Sequence, residues 1–91
     1  MAYEILLTPE FLEDFEKLST EVARRIRAKI EDLADHPQLL RHPLKHLPES
    51  LKGLHKYRIG DYRVLLWPDH TKQQLILYAV AHRREIYRDL T

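Results

Sequence analysis

Between Leu54 and Ala81 the chain carries three runs of strand-forming residues parted by turns too short for anything but hairpins. Leu54–Ile59 is the first run, Tyr62–Trp67 the second and Gln74–Ala81 the third, with Gly60-Asp61 and Pro68–Lys72 between them. Aromatic and β-branched side chains suit a pleated, half-buried surface, and a Gly-Asp link returns the chain on itself. Strands joined so closely pair antiparallel.

The residues before this meander read as one strand and two helices. Tyr3–Leu7 is strand-like, and Thr8-Pro9 supplies an N-cap with proline at the first helical position. Phe11, Phe15 and Leu18, with Leu12 beside them, form an apolar stripe against an acidic face. Ser19 and Thr20 interrupt it and cap a second helix, in which Val22, Ile26, Ile30 and Leu33 recur at helical spacing as far as about Asp35. His36-Pro37 ends that helix, because the residue before proline is pushed out of helical geometry. A turn this short predicts an antiparallel helical hairpin. Residues 37–53, with Pro37, Pro43 and Pro48, read as a loop pinned by Leu39, Leu40, Leu44 and Leu47. The tail 84–91 reads as a helical turn. The order β-α-α-β-β-β predicts an α+β fold, a helical hairpin packed on a mostly antiparallel sheet, in a single domain over 1–91.

Composition excludes several kinds of chemistry. The chain has no cysteine, so disulfides, thiolate nucleophiles and cysteine-bound zinc are ruled out. No apolar stretch approaches the ~20 residues of a membrane helix, and no export signal opens the chain, so a cytoplasmic protein with no membrane contact is expected. Net charge is only +1, yet it is unevenly spread. Residues 1–23 set six acids against Lys17, while residues 41–63 set Arg41, Lys45, Lys52, Lys56, Arg58 and Arg63 against Glu49 and Asp61. A basic second half of this kind suits a phosphate-binding face.

Strand alternation gives that face a location. If the helices cover Ile59, Val64 and Val80, then Lys56, Arg58 and Arg63 point to the uncovered side, and Arg83 follows by continuation. Four cations among small and apolar side chains can hold phosphates and stack bases. The same alternation places Leu65, Leu75 and Leu77 on the uncovered face, where charge-rimmed apolar side chains mark a protein-binding surface. Six histidines raise the question of a metal, but Pro43 breaks the helix that His42 and His46 would need, and no carboxylates complete a ligand set, so no metal or other cofactor is expected. Ser50 has no histidine–carboxylate pair to activate it, and Gly53 and Gly60 make no phosphate loop. Trp67 and Tyr78 read as packing residues.

The run Leu51-Lys52-Gly53-Leu54-His55-Lys56-Tyr57-Arg58-Ile59-Gly60-Asp61-Tyr62-Arg63-Val64-Leu65-Leu66 resembles the central signature of the RelE/ParE toxin superfamily. Pro43-Leu44-Lys45 resembles the approach to it, and Ala81-His82-Arg83-Arg84-Glu85-Ile86-Tyr87 its terminal motif. With the helical hairpin, the resemblance spans essentially the whole chain. It implies a RelE-like fold and a toxin held in check by an antitoxin, in a type II toxin–antitoxin pair. RelE-type members cut mRNA in the ribosomal A site without a metal. ParE-type members share the fold, lack the nuclease residues and poison DNA gyrase.

By this resemblance the catalytic residues are Lys56, Arg58, Arg63, Arg83 and Tyr87, with Arg58 standing where some relatives carry lysine. Their presence favours the nuclease branch. The alternatives are a ParE-type gyrase inhibitor and a non-catalytic module that binds antitoxin and operator. The implied chemistry uses the substrate's own 2′-OH as nucleophile and leaves a 2′,3′-cyclic phosphate and a 5′-OH. Arginines suit the phosphate's equatorial oxygens, being planar, bidentate and always charged. Tyr87 is the implied base, its pKa of about 10 open to lowering by nearby cations. Arg83 is a phosphate stabiliser and candidate acid, with His82 a minor alternative. Lys45, Lys52 and Arg84 are expected to bind RNA beside the site. The implied partners are a cognate antitoxin, resting on Leu65, Leu75 and Leu77, then mRNA and the ribosome, with operator DNA reached only through the antitoxin complex.

Overall fold

Thr8 ties three elements together. It follows strand β1 (Glu4–Leu7) and caps helix α1 (Pro9–Glu16), its Oγ1 accepting from the Phe11 N–H at 3.2 Å. The same hydroxyl donates to the Leu77 carbonyl at 2.8 Å, so the start of the helix is fixed to a distant strand. Ser19 repeats the capping device for α2 (Thr20–Asp35), accepting from the Val22 N–H at 3.3 Å. In this computed structural model, residues 2–41 and 43–86 are described. Short 3₁₀ turns at Pro37–Leu39 and Glu49–Leu51 punctuate the connection to the meander, strands β2 (His55–Ile59), β3 (Tyr62–Asp69) and β4 (Gln74–His82). The sheet order is β1-β4-β3-β2, antiparallel except for the parallel β1–β4 pair. This is the expected α+β architecture. The chain enters through β1, and its last strand returns to lie beside it.

Apolar residues from both layers meet between helices and sheet. Phe11, Ile26, Ile30 and Leu33 pack on Ile59, Val64, Leu66, Leu75, Leu77 and Val80. The expectation that the helices cover Ile59, Val64 and Val80 is met. The expectation for Leu75 and Leu77 is not. They lie in this helix-side core at 0% and 1% exposure, rather than on the uncovered face. The cause is one extra residue in β4. Leu65 pairs with Ala79 and Leu66 with Leu77, so Tyr78 bulges without a partner and alternation reverses across it. Val80 and Leu77 therefore face the same way although they are three apart.

A smaller cluster covers part of the other face. Leu65, at 0% exposure, packs under Leu51, Leu54 and Ile86, with Leu44, Leu47 and Trp67 around them. Leu65 thus sits on the predicted face but beneath the 43–54 segment, so it is not an exposed interface residue either. Leu44 and Leu47 pin the connection here and Leu40 pins it on the helix side, whereas Leu39 stays exposed. Trp67 and Tyr78 pack on each other with ring centroids 5.2 Å apart, as read for packing residues.

Beyond Leu7, β4 loses β1 as a neighbour. Asp14 of α1 fills the gap, Oδ2 accepting from the Val80 N–H at 3.1 Å. An inward carboxylate blunts an edge that would otherwise invite another strand. The corrected placement has a consequence for stability. Leu77→Ala is expected to lower unfolding free energy by about 2–5 kcal/mol, as for other fully buried leucines, while Leu12→Ala, at an exposed position, changes it by less than about 0.5 kcal/mol. Urea denaturation of the two variants checks the pair.

Candidate functional site

The turn between β2 and β3 organises the basic face. Ile59 pairs with Tyr62, leaving Gly60-Asp61 as a two-residue link, and Gly60 takes φ +58° as a primed hairpin turn demands. The next pair down the ladder is Arg58 opposite Arg63. Directly opposed side chains of like charge destabilise a sheet, so this row works against the hairpin that holds it. Arg63 in turn pairs with Ala81 of β4, whose small side chain leaves room beside the guanidinium. Two residues further on, the Arg83 N–H donates to the Asp61 carbonyl at 2.8 Å, which fixes Arg83 beside the same turn.

The structure therefore brings Arg58, Arg63 and Arg83 to one end of the sheet. Lys56 lies one row along on the same face, opposite Leu65. Lys56, Arg58 and Arg83 are exposed. Arg63 is not. It is 9% exposed, the one buried charged residue among those described. Its Nη1 donates to the carbonyls of Gly60 at 2.8 Å and Tyr62 at 2.9 Å. The expectation of four open cations is thus met by three, with the fourth folded onto the turn. These two carbonyls hold the guanidinium against the turn. Arg63 therefore supports the hairpin as well as charging it.

The flanking cations are more scattered. Lys45 and Lys52 are exposed on the segment that crosses the far end of the sheet, where the Lys52 carbonyl accepts from Trp67 Nε1 at 3.1 Å. Trp67 is four residues from Arg63 along β3, roughly 13 Å by strand rise. Arg84 is exposed, its N–H donating to His82 Nδ1 at 3.2 Å. His82 packs edge-on against Tyr62 on the helix side, which matches a packing and capping histidine. Tyr87 lies outside the described residues. Tyr57, on the helix side of β2, is a poor phenolate candidate, since burial and then the charge of Asp32 push its pKa up. One basic residue was missed in the sequence. Arg25 of α2 reaches the Gly60 turn from the other side, a contact that no spacing along the chain announces.

Among the described residues no carboxylate pairs with this group. Among the described residues the one ion pair is His36–Asp32 at 3.6 Å, so no lysine or arginine there has a carboxylate within 4.0 Å. A concavity of about 810 Å³ lies along the free edge of β4 beside Glu10, Glu13 and Asp14 and reaches Tyr62, Ala81 and His82. Its acidic wall makes it unfit for a polyanion. The same residues hold no His/Asp/Glu group able to bind a metal ion.

A surface of unneutralised arginines on this fold can bind phosphate and stabilise charge developing on it. Residues 5–87 match the family described as ParE toxin of type II toxin–antitoxin system, parDE. The chain belongs to that family. This toxin is also 29% identical over 87 residues to Toxin RelE of Mycobacterium tuberculosis, covering 94% of this chain and 87% of the relative. Its structure is similar to the toxin of the RelBE2 toxin–antitoxin complex from M. tuberculosis, with TM-score 0.78, 25% identity, and coverage of 91% of this chain and all of that one. A mutant of the Escherichia coli RelE toxin in the free state superposes with TM-score 0.74 at 19% identity, over 99% of this chain and 95% of that one, which shows a common fold. The toxin is therefore RelE-like in fold and belongs to the RelE/ParE superfamily that its sequence resembles.

The Arg58–Arg63 row makes a testable electrostatic claim. Arg58→Gln relieves the opposed charges and is expected to stabilise the toxin by about 0.2–1 kcal/mol at low ionic strength. The gain should disappear in 1 M salt, where screening acts over about 3 Å. Thermal melts at both salt concentrations measure it.

Proposed function

We propose that this toxin is an mRNA interferase of the RelE type, and that a cognate antitoxin restrains it. The observation that carries the reading is the arginine row at the β2–β3 turn. Arg58 and Arg63 oppose each other with no carboxylate partner among the described residues, and Arg83 is tied to the same turn. A fold that only bound a protein partner would gain nothing from an arrangement that weakens its own hairpin. A transferring phosphate, by contrast, needs fixed positive charge around its equatorial oxygens.

In this reading the RNA 2′-OH attacks its own phosphodiester, giving a 2′,3′-cyclic phosphate and a 5′-OH. Arg58 and Arg83 contact the phosphate oxygens, with Lys56 adding charge from the adjacent row. Arg63 has Nη1 committed to two carbonyls, so its fork is already oriented before substrate arrives. That lowers the entropy lost on binding. Tyr87 takes the 2′-OH proton, as the resemblance implies, and Arg83 is the candidate donor to the leaving oxygen. Lys45, Lys52 and Arg84 extend contacts to flanking RNA, and the A site of the ribosome supplies the aligned mRNA. Operator DNA is reached through the antitoxin complex, in the cytoplasm.

The antitoxin follows from the relatives, several of which are structures of RelE–RelB complexes. Its docking surface is not Leu75 and Leu77, which are core residues here. A second reading has specific support, since the family that matches is described by its ParE member. ParE-type action would target DNA gyrase and leave transcripts whole.

Brief expression without antitoxin separates the two. Mapped mRNA 5′ ends should show new cuts within coding regions, with plasmid supercoiling unchanged. Arg58→Ala should lower cutting by at least about 100-fold, the loss typical of removing one preorganised charge stabiliser. Arg63→Ala should lose cutting and thermal stability together. Intact transcripts with accumulating gyrase-linked DNA breaks would replace this reading with the ParE one.

A further inference from the structure

Two arginines approach the β2–β3 turn from opposite sides of the sheet. Arg63 comes from the uncovered face and donates to the Gly60 carbonyl at 2.8 Å. Arg25 comes from α2 on the helical face. A β-carbon built at Gly60 would lie 3.7 Å from its Nη2 and 3.9 Å from its Cζ. The turn is thus wedged between two guanidinium groups, with Arg58 in the adjacent row and Arg83 bonded to Asp61.

The acids that face Arg25 do not account for its position. Glu21 lies one helical turn before it and Asp61 sits in the turn itself, yet neither is within 4.0 Å of a basic nitrogen of the described residues. Lys29, one turn after it, adds like charge. Arg25 is exposed and brings positive charge toward a site already crowded with it. Gly60, without a side chain, keeps the crest of the turn low between the two faces.

We propose that Arg25 is a phosphate-binding residue that carries the RNA path from the Arg58–Arg63–Arg83 group over the Gly60–Asp61 turn onto the α2 face. The inference rests on the RNA reading of the arginine row and extends it around the sheet edge. One phosphate sits on the open face, where the arginine row holds it, and a neighbouring phosphate of the same strand meets Arg25. Arg25 is a binding residue in this scheme, remote from the reacting atoms, so it acts on affinity rather than on the chemical step.

The test is fluorescence anisotropy with a fluorescein-labelled single-stranded RNA of about 12 nucleotides, 2′-O-methylated throughout so that it binds without being cut. Each phosphate contact on a single strand contributes about 0.7 to the slope of log affinity against log salt. Arg25→Ala should weaken binding several-fold and lower that slope by about 0.7, and Arg25→Lys should restore the slope. Arg24→Ala, one position and about 100° around the helix, should change neither. A three-nucleotide RNA, too short to span the turn, should not distinguish Arg25→Ala from the parent. Melting curves confirm that the variants are folded. If Arg58→Ala loses binding while Arg25→Ala keeps both affinity and slope, the path over the turn is wrong and the RNA site stands. If the parent does not bind this free RNA, or Arg58→Ala is silent, the path over the turn falls, while the mapped mRNA 5′ ends decide the RNA reading separately.

Discussion

Side chains in a strand alternate with a period of two, so a single inserted residue reverses the facing of everything on one side of it. Tyr78 is that residue in β4. Before it, Leu75 and Leu77 point under the helices. After it, Val80 does the same, while Ala79 and Ala81 face out beside Leu65 and Arg63. Without the bulge, either Leu75 and Leu77 or Val80 would be stranded on the wrong face. If Val80 and Ala81 exchanged sides, the valine would stand next to Arg63 and the alanine would leave a gap in the core. The helix-side core and the space around the arginine row both depend on this one irregularity.

The same strand is the meeting point of the chain's two halves. Thr8 and Asp14 bond to β4 at Leu77 and Val80, one through a helix cap and the other by filling the edge that β1 leaves open. Both hydrogen bonds join residues more than sixty positions apart, so the helical hairpin is registered on the sheet by polar contacts as well as by apolar burial. This fixing matters for the basic face. The position of α2, and with it Arg25, relative to the β2–β3 turn is set from the opposite side of the sheet.

Much of this could be read in the sequence, and the limits have physical causes. Thr8-Pro9 and Ser19 announced both helix starts because capping is a local hydrogen bond between near neighbours. Gly60-Asp61 announced the hairpin because a positive φ selects glycine. Arg58 and Arg63 were placed on one face because both lie on strands with unbroken alternation. Leu75 and Leu77 were misplaced because a bulge is visible only as a mismatch between two paired strands, which neither strand records alone. Arg63 was read as open because alternation gives a direction and says nothing of where a long side chain then folds. Arg25 was passed over because its proximity to Gly60 is a product of helix-on-sheet packing across 35 positions of sequence.

Charge completes the argument from fold to function. A net charge of +1 is too small to draw a polyanion by itself, and what governs encounter is its arrangement. Here the acids of α1 lie along the outer edge of β4, around a cavity with Glu10, Glu13 and Asp14 on its wall. The arginines gather at the β2–β3 turn and the adjoining end of β4. On the proposed RNA reading, the acids would repel a nucleic acid and the arginines attract it, so the polarity would orient the strand before contact. The absence of lysine– or arginine–carboxylate pairs among the described residues keeps that field strong, because paired charges would cancel locally. The opposition of Arg58 and Arg63 follows from the same requirement, since placing an acid between them would steady the hairpin and weaken the field at the turn.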